Sequence, residues 1–239
     1  METVICLITN NNYFETRYCI ENLIAKTSLP FRLFIVDNNS SDARLMKFLQ
    51  KITKDMSKGF LYKLDKQISI AECYNLFLSA LGNNNCVLFP VNCIVDYNWL
   101  EDLNTSLEMI KDCGCACIRP TNTEIEFSAV LKHSLFDGED TIENVMHTNE
   151  KINTVIAFKP EILKEAGIFD VNLNANGFEL SEFCLRVRVN GYNNYYIRKQ
   201  AVYKMPFKNE VLFPKITDEN ITKFKETVNL MFKHKRFKK

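Results

Sequence analysis

The chain has 239 residues, 46% of them hydrophobic and 25% charged, and its 30 basic side chains are balanced by 29 acidic ones. This composition excludes an intrinsically disordered chain, because such chains are too poor in apolar residues to bury a core. The net charge of +1 gives no overall field that would favour nucleic acid or a membrane, so such a partner would need a local basic patch.

The cysteines and the first residues both bear on the compartment. Nine cysteines are present, and Cys6, Cys86 and Cys184 lie inside apolar runs. This setting is typical of buried thiols and not of a disulfide framework. The chain starts with a short apolar run that no basic segment precedes, and no stretch approaches the roughly 20 apolar residues of a membrane span. We therefore predict a soluble, cytoplasmic protein without a transmembrane segment.

The first half of the chain alternates short, continuous apolar runs with amphipathic segments. The apolar runs predict strands over 4–9, 31–36, 59–64, 86–91 and 115–119. The 3.6-residue period predicts helices over 14–26, 45–52, 70–81 and 97–111, the last capped by Asp96. This alternation predicts an α/β domain, with a mostly parallel sheet and helices on both faces. Ligands bind beyond the carboxyl ends of the strands in such sheets.

The second half is less regular. Residues 119–151 are polar and show no clear period, whereas strands are predicted over 153–158 and 195–198 and helices over 160–166, 179–189 and 217–233. No internal repeat and no low-complexity linker divides the chain. We therefore predict one domain over residues 1–239.

Four motifs occur in collinear order at the ends of the predicted elements. They are T-N-N after the first strand with V-D-N-N-S after the second, S-I-A-E-C-Y-N, V-L-F-P-V-N-C, and G-I-F-D followed by E-L-S-E-F-C-L-R and A-V-Y-K. Together they resemble family 2 glycosyltransferases of the GT-A fold. The resemblance covers residues 3–118 and 153–204. It implies a Rossmann-like GT-A domain that transfers a sugar from a nucleotide-sugar, most simply a UDP-sugar, to an acceptor hydroxyl with inversion.

The resemblance also divides the single domain and assigns a nucleotide pocket. Residues 1–118 would be the nucleotide-binding half, 119–204 the acceptor-side half, and 205–239 a C-terminal helix with a basic tail. The pocket would be lined by Thr9, Asn11, Asp37, Asn75 and Asn92. The resemblance implies that the Asp37 carboxylate accepts a hydrogen bond from the uracil or the ribose. The alternative is that Asp37 is a turn residue that caps the next helix.

The metal motif of the family is missing. Val91, Asn92 and Cys93 stand where the resemblance places Asp-x-Asp, and hard cations prefer several oxygen ligands. We therefore predict that no metal cofactor is required, although a divalent cation such as manganese remains an open alternative. Lys204 stands where the family has a histidine, and its ammonium group would offset the diphosphate charge. The alternative is a surface lysine at the end of an edge strand.

The general base also departs from the family pattern. Leu180 stands where the resemblance places the Asp that deprotonates the acceptor, between Glu179 and Glu182. Either glutamate is a candidate catalytic base. The alternative is that both are helix N-terminal carboxylates, which the helix dipole stabilises.

Two other features, a cysteine run and a basic tail, are candidate sites. The C-x-C-x-C run at 113–117 would place its three thiols on one face of a strand, but zinc sites usually need wider spacing and a fourth ligand. The tail K-H-K-R-F-K-K at 233–239 could contact an acidic partner, or it could be a solvated end. The alternative to an enzyme is a catalytically degenerate GT-A fold that serves as a nucleotide-sugar-binding or scaffold module. The sugar and the acceptor are not specified.

Overall fold

The structure is a computed structural model, which describes residues 2–56, 59–120, 140–141, 154–173, 178–205, 219 and 222–226. Nine strands form one mixed sheet: β1 (Thr3–Thr9), β2 (Phe31–Asp37), β3 (Gly59–Lys63), β4 (Asn85–Leu88), β5 (Cys93–Val95), β6 (Cys113–Pro120), β7 (Asp140–Thr141), β8 (Ile156–Phe158) and β9 (Asn193–Lys204). Six helices are labelled: α1 (Tyr13–Lys26), α2 (Ala43–Asp55), α3 (Ile70–Leu81), α4 (Trp99–Met109), α5 (Pro160–Ala166) and α6 (Glu179–Val189).

The strand order is β3-β2-β1-β4-β8-β6-β9-β5, with β7 paired to β9. The first four strands are mutually parallel, and the antiparallel strand β8 separates them from β6 and β9, which are parallel to each other. All seven residues of β1 are buried. A continuous apolar run is typical of a central parallel strand that is covered on both faces, so the predicted α/β class is confirmed.

The helices form two layers. On one side α1 packs on α2, and the indole of Trp99 in α4 donates to the Thr27 hydroxyl just after α1 at 2.9 Å. On the other side α5 packs on α6, and Asn75 of α3 bonds to Phe169, just beyond α5. None of the helices within the described ranges is long and apolar enough to cross a bilayer.

The structure corrects the region after β4. The predicted strand 86–91 ends at Leu88, and the chain turns at Pro90, whose carbonyl accepts from the Cys93 amide at 3.0 Å. The following strand β5 was not predicted. The prediction failed because an apolar run does not distinguish a strand from a buried turn. Asp96 does not cap α4: the residue before the helix is Asn98, with a left-handed φ of 64°.

Two further predictions are adjusted. The strand predicted over 195–198 extends over the whole of β9, because its polar residues pair with β5 and β6. The strand predicted over 153–158 begins only at Ile156. Within the helix predicted over 217–233, residues 222–226 are helical, and the rest lies largely outside the described residues, as do the basic tail and most of 119–151.

Candidate functional site

The candidate site lies where β1 and β2 end side by side. Thr9 and Asp37 are register partners in the last position of the parallel ladder, and the Asn38 amide donates to the Thr9 carbonyl at 2.8 Å. Thr9 is fully buried, and its hydroxyl is 2.6 Å from that of Thr16 in α1. The Thr9 side chain therefore joins the strand end to the first turns of α1.

The Asp37 carboxylate is the most unusual group at this edge. The residue is fully buried, and its Oδ2 accepts from the Ser40 amide at 3.3 Å. Its Oδ1 accepts no hydrogen bond from any described residue. A buried polar oxygen left unpaired is unfavourable, so this atom is suited to a donor that the protein does not supply. Its bond with Ser40 makes Asp37 a turn residue, as the alternative predicts. Asp37 does not cap the next helix, however, because α2 is capped by Asp42, whose side chain accepts from the Arg44 amide.

Asn11 holds the two loops together. Its backbone has a φ of 53°, in the left-handed region that Asn tolerates better than most residues. Its side-chain Oδ1 accepts from the backbone amides of Ser41 and Asp42 at 2.8 and 3.1 Å. Its backbone amide donates to the Ser40 hydroxyl at 2.9 Å. The Asn11 side chain therefore fixes the loop after β2, the same loop whose Ser40 amide donates to the Asp37 carboxylate.

Sequence reasoning missed two asparagines that also fix the loop after β2. The buried Asn38 side chain makes two 2.9 Å hydrogen bonds with the backbone of Ile68, and Asn10 donates to the Asn38 carbonyl. In the sequence both residues belong to the T-N-N and V-D-N-N-S motifs at the ends of the first two predicted strands. The usable signal was that Asn side chains at strand ends can replace backbone hydrogen-bonding partners.

Asn75 and Asn92 make their hydrogen bonds outside the loops after β1 and β2. The Asn75 amide donates to the Phe169 carbonyl at 2.8 Å and accepts from the Phe169 amide at 2.9 Å, so both of its polar atoms are used between α3 and the segment after α5. Asn92 is half-buried in the turn before β5, and its carbonyl accepts from the Met205 amide at 2.8 Å. Among the described residues, neither side chain bonds to these loops, although the turn that holds Asn92 follows β4, which pairs in parallel with β1.

The stretch that replaces the family's metal motif offers little to a cation. Val91 and Cys93 on either side of Asn92 are buried, at 1% and 0% exposure. Across the part of the chain that the structure describes, no group of three or more His, Cys, Asp or Glu side chains could hold a metal ion. The C-x-C-x-C run at 113–117 therefore forms no such group with other described residues. All nine cysteines are buried, free thiols. The residues present therefore do not fit a metal bound in the family's way.

The two candidate bases differ in their surroundings. Glu182 is 1% exposed. Its carboxylate forms a bidentate ion pair with the Arg186 guanidinium, in which Nη2 and Oε2 are 2.7 Å apart. Arg186 also donates to the Ala166 carbonyl at the end of α5. Burial raises the pKa of the Glu182 carboxyl, and the Arg186 charge opposes that rise. Arg186 therefore joins α6 to α5, and Glu182 is its anionic partner within α6.

Glu179 is the first residue of α6 and is half-buried. Burial raises the pKa of the Tyr74 hydroxyl well above its usual value, and Glu179 is among the nearby charges that add to this rise. The Glu179 carboxylate therefore lies within interaction range of Tyr74 on α3. Its position at the start of a helix also favours a negative charge.

The comparisons with known proteins agree with this topology. The TarS fragment 1–349 of S. aureus in complex with UDP superposes with a TM-score of 0.70 at 14% identity, covering 97% of this chain and 65% of that one. GalNAc-T7 with UDP, GalNAc and Mn²⁺ gives 0.67 at 11%, covering 86% and 44%. A mannosyltransferase of Pyrobaculum calidifontis in complex with GDP-Man and Mn²⁺ gives 0.63 at 12%, covering 98% and 74%.

These similarities are structural. No protein-family model and no curated protein sequence matches the chain. The chain spans 60% of the TarS fragment in another of its structures and 44% of GalNAc-T7. At such low identity the likeness shows the fold alone. The chain has the α/β fold of GT-A-type glycosyltransferases.

Proposed function

We propose that this protein is an inverting glycosyltransferase of the family 2 type, whose donor is a nucleotide-sugar, most simply a UDP-sugar. The Asp37 carboxylate carries this proposal. It is fully buried at the carboxyl end of β2, and its Oδ1 has no hydrogen-bond donor among the described residues. The uracil imide N–H and the ribose hydroxyls are donors of the kind that would satisfy it.

The loops around Asp37 are already fixed for binding. Asn11, Asn38 and Asn10 join the segments after β1 and β2 through side-chain bonds to backbone groups. A ligand that enters a pre-formed site does not have to pay for ordering these loops. The neighbours named above were obtained with UDP or GDP-Man, which supports a nucleotide-sugar as the donor.

In the proposed reaction the acceptor hydroxyl gives its proton to a carboxylate and attacks the anomeric carbon of the sugar. The bond from that carbon to the diphosphate breaks, and inversion follows from attack on the opposite face. We assign the base to Glu179. Glu182 is the weaker candidate, because its buried carboxylate is already held by Arg186. Thr9, Asn75 and Asn92 remain predicted pocket residues.

We propose that no metal takes part in the way typical of the family, because the V-N-C turn lacks carboxylates and its flanking side chains are buried. The charge of the departing diphosphate must then meet a protein cation. Lys204 is our candidate, since its backbone pairs with Cys93 at this turn. The acceptor, the acidic partner of the basic tail and a cytoplasmic location stay predictions.

The same turn favours a second candidate function. A GT-A fold without the metal carboxylates could bind a nucleotide-sugar without transferring the sugar, and serve as a binding or scaffold module. The two functions share the Asp37 pocket and differ only in turnover.

Calorimetry and a release assay separate these functions. The chain is titrated with UDP, UDP-GlcNAc, GDP and uridine, each with manganese and with a chelator, and UDP release from the UDP-sugar is then followed with candidate acceptors. Binding of UDP with turnover supports the transferase. Binding without turnover supports the module, and absence of UDP binding contradicts both.

A further inference from the structure

The described C-terminal stretch 222–226 buries the aromatic side chain of Phe224. Phe224 is 3% exposed, whereas Lys225 and Glu226 are exposed. The Phe224 ring stacks on that of Phe178, with ring centroids 4.6 Å apart and an interplanar angle of 18°. A single buried aromatic residue on an otherwise polar helical turn indicates a specific docking contact.

The residue that Phe224 contacts, Phe178, lies at the start of α6. Phe178 directly precedes Glu179 and is the N-cap residue of α6, where its apolar side chain cannot accept a capping hydrogen bond. Its carbonyl accepts from the Glu182 amide at 2.8 Å, which is the first backbone bond of the helix. The packing of Phe178 therefore adds to the hold that the buried Leu180 gives the first turn of α6.

Phe178 is fully buried, yet it lies outside the contiguous hydrophobic core of the described residues, as Phe224 does. The next turn of α6 is held independently. Phe183 stacks on Phe169 with centroids 4.9 Å apart and packs on Phe158 of β8 at 5.0 Å. The contact with Phe224 therefore acts on the first turn of α6 and not on the helix as a whole.

We propose that Phe224 is a positioning residue for Glu179: the C-terminal stretch docks on Phe178, fixes the first turn of α6 and so sets the place of the candidate base. This inference rests on the proposed function. A base must lie within about 2.6–3.2 Å of the proton that it takes, and a shift of about 1 Å can cost about 100-fold in rate. Loosening the first turn should therefore lower turnover, while the donor loops after β1 and β2 stay intact.

The test uses the full chain with Phe224→Ala, the more conservative Phe224→Leu, and Lys225→Ala as an exposed control on the same stretch. Amide hydrogen exchange is measured at Glu182, whose bond to Phe178 reports the first turn, and at Ile5 in the core strand β1. The turnover number and the UDP dissociation constant are measured in parallel.

We expect Phe224→Ala to speed exchange at Glu182 by about tenfold, to leave Ile5 unchanged, and to lower turnover roughly 10- to 100-fold with UDP affinity within about twofold of wild type. Phe224→Leu should recover part of the loss, and Lys225→Ala should behave as wild type.

Unchanged exchange at Glu182 in Phe224→Ala overturns the inference, whatever the activity. So does faster exchange at both Glu182 and Ile5, which would mean general destabilisation. Faster exchange at Glu182 with unchanged turnover overturns the link to the base. A wild-type chain that neither binds UDP nor releases it from a UDP-sugar contradicts the proposed function and with it the positioning role of Phe224. The exchange data show separately whether the contact holds the start of the helix.

Discussion

Lys204 is the register partner of Cys93 in the antiparallel ladder between β5 and β9. The next residue, Met205, donates its amide to the Asn92 carbonyl at 2.8 Å. The end of β9 therefore lies directly beside the V-N-C turn. In the family 2 glycosyltransferases that the sequence motifs resemble, metal-binding carboxylates stand at this position. The backbone of a basic residue thus lies beside a turn without carboxylates, and this pairing motivates our first prediction.

Replacing Lys204 by Ala should weaken UDP binding by about 1.5–3 kcal/mol, the usual range for a hydrogen bond to a charged group, and should weaken uridine binding much less. The reason is that only UDP carries the diphosphate. Calorimetry with both ligands measures the difference, with Lys164→Ala, an exposed residue of α5, as the control. Manganese should add little to UDP affinity, and a large gain with manganese would contradict the prediction.

Replacing Asp37 by Ala should weaken UDP and uridine alike by about 1–3 kcal/mol, because both ligands present the donors that the buried carboxylate lacks. The isosteric Asp37→Asn keeps the volume and tests the charge. Asp65→Asn, at an exposed aspartate, is the control. Unchanged affinity for both ligands in folded Asp37→Ala would place the nucleotide site elsewhere.

Replacing Glu179 by Gln should reduce turnover by about 10²–10⁴-fold and leave the UDP dissociation constant unchanged, because the amide cannot take the acceptor's proton. Glu161→Gln is a matched control, since Glu161 is an exposed carboxylate in the first turn of α5. Full activity in Glu179→Gln would assign the base to another group.

Replacing Glu182 by Gln should act mainly on stability. The Arg186 guanidinium would keep its bond to the Ala166 carbonyl but lose its anionic partner in a largely buried position. We expect the free energy of unfolding to fall by about 1–3 kcal/mol in urea titrations. The double variant Glu182→Leu with Arg186→Met should recover part of this loss, because apolar replacement of a buried pair is often tolerated. Wild-type stability with lost turnover would instead indicate a chemical role.

Glu15 gives a prediction about pH. It lies buried in the first turn of α1, and burial raises the pKa of its carboxyl. Between the ordinary carboxyl pKa of about 4.3 and the raised pKa of the folded state, the folded state therefore holds the proton more tightly than the unfolded chain. Stability falls as the pH rises through this window and is constant above it. Glu15→Gln should be more stable than wild type at pH 7, and the difference should vanish near pH 4.

Urea midpoints at pH 7, 5.5 and 4 test this prediction, with Glu165→Gln, at an exposed glutamate of α5, as the control. An equal midpoint difference at all three values would mean that the ionisation of Glu15 does not affect folding.

Local signals were sufficient for several elements. The helices Ile70–Leu81, Pro160–Ala166 and Glu179–Val189 begin and end where the sequence predicts. Ser69 caps the first of these with Glu72, Pro160 opens the second, and a glycine follows each closely, so each signal lies within a few residues of the helix. The strand end that presents Asp37 was likewise predicted, because a polar cluster after an apolar run is a local pattern.

Contacts between distant residues decided the rest. The length of β9 depends on pairing with β5 and β6, which lie some 80 to 110 residues earlier in the chain. Whether Glu179 or Glu182 is available as a base depends on Arg186 and on a carbonyl of α5, which the helical pattern of α6 cannot reveal. The spacing of apolar and polar residues therefore predicted the order of the elements, with the exception of β5 and β7, and the edge of the sheet that bears the candidate site. The partners of each carboxylate and amide were decided only by folding, because a hydrogen bond depends on distance in space and not along the chain.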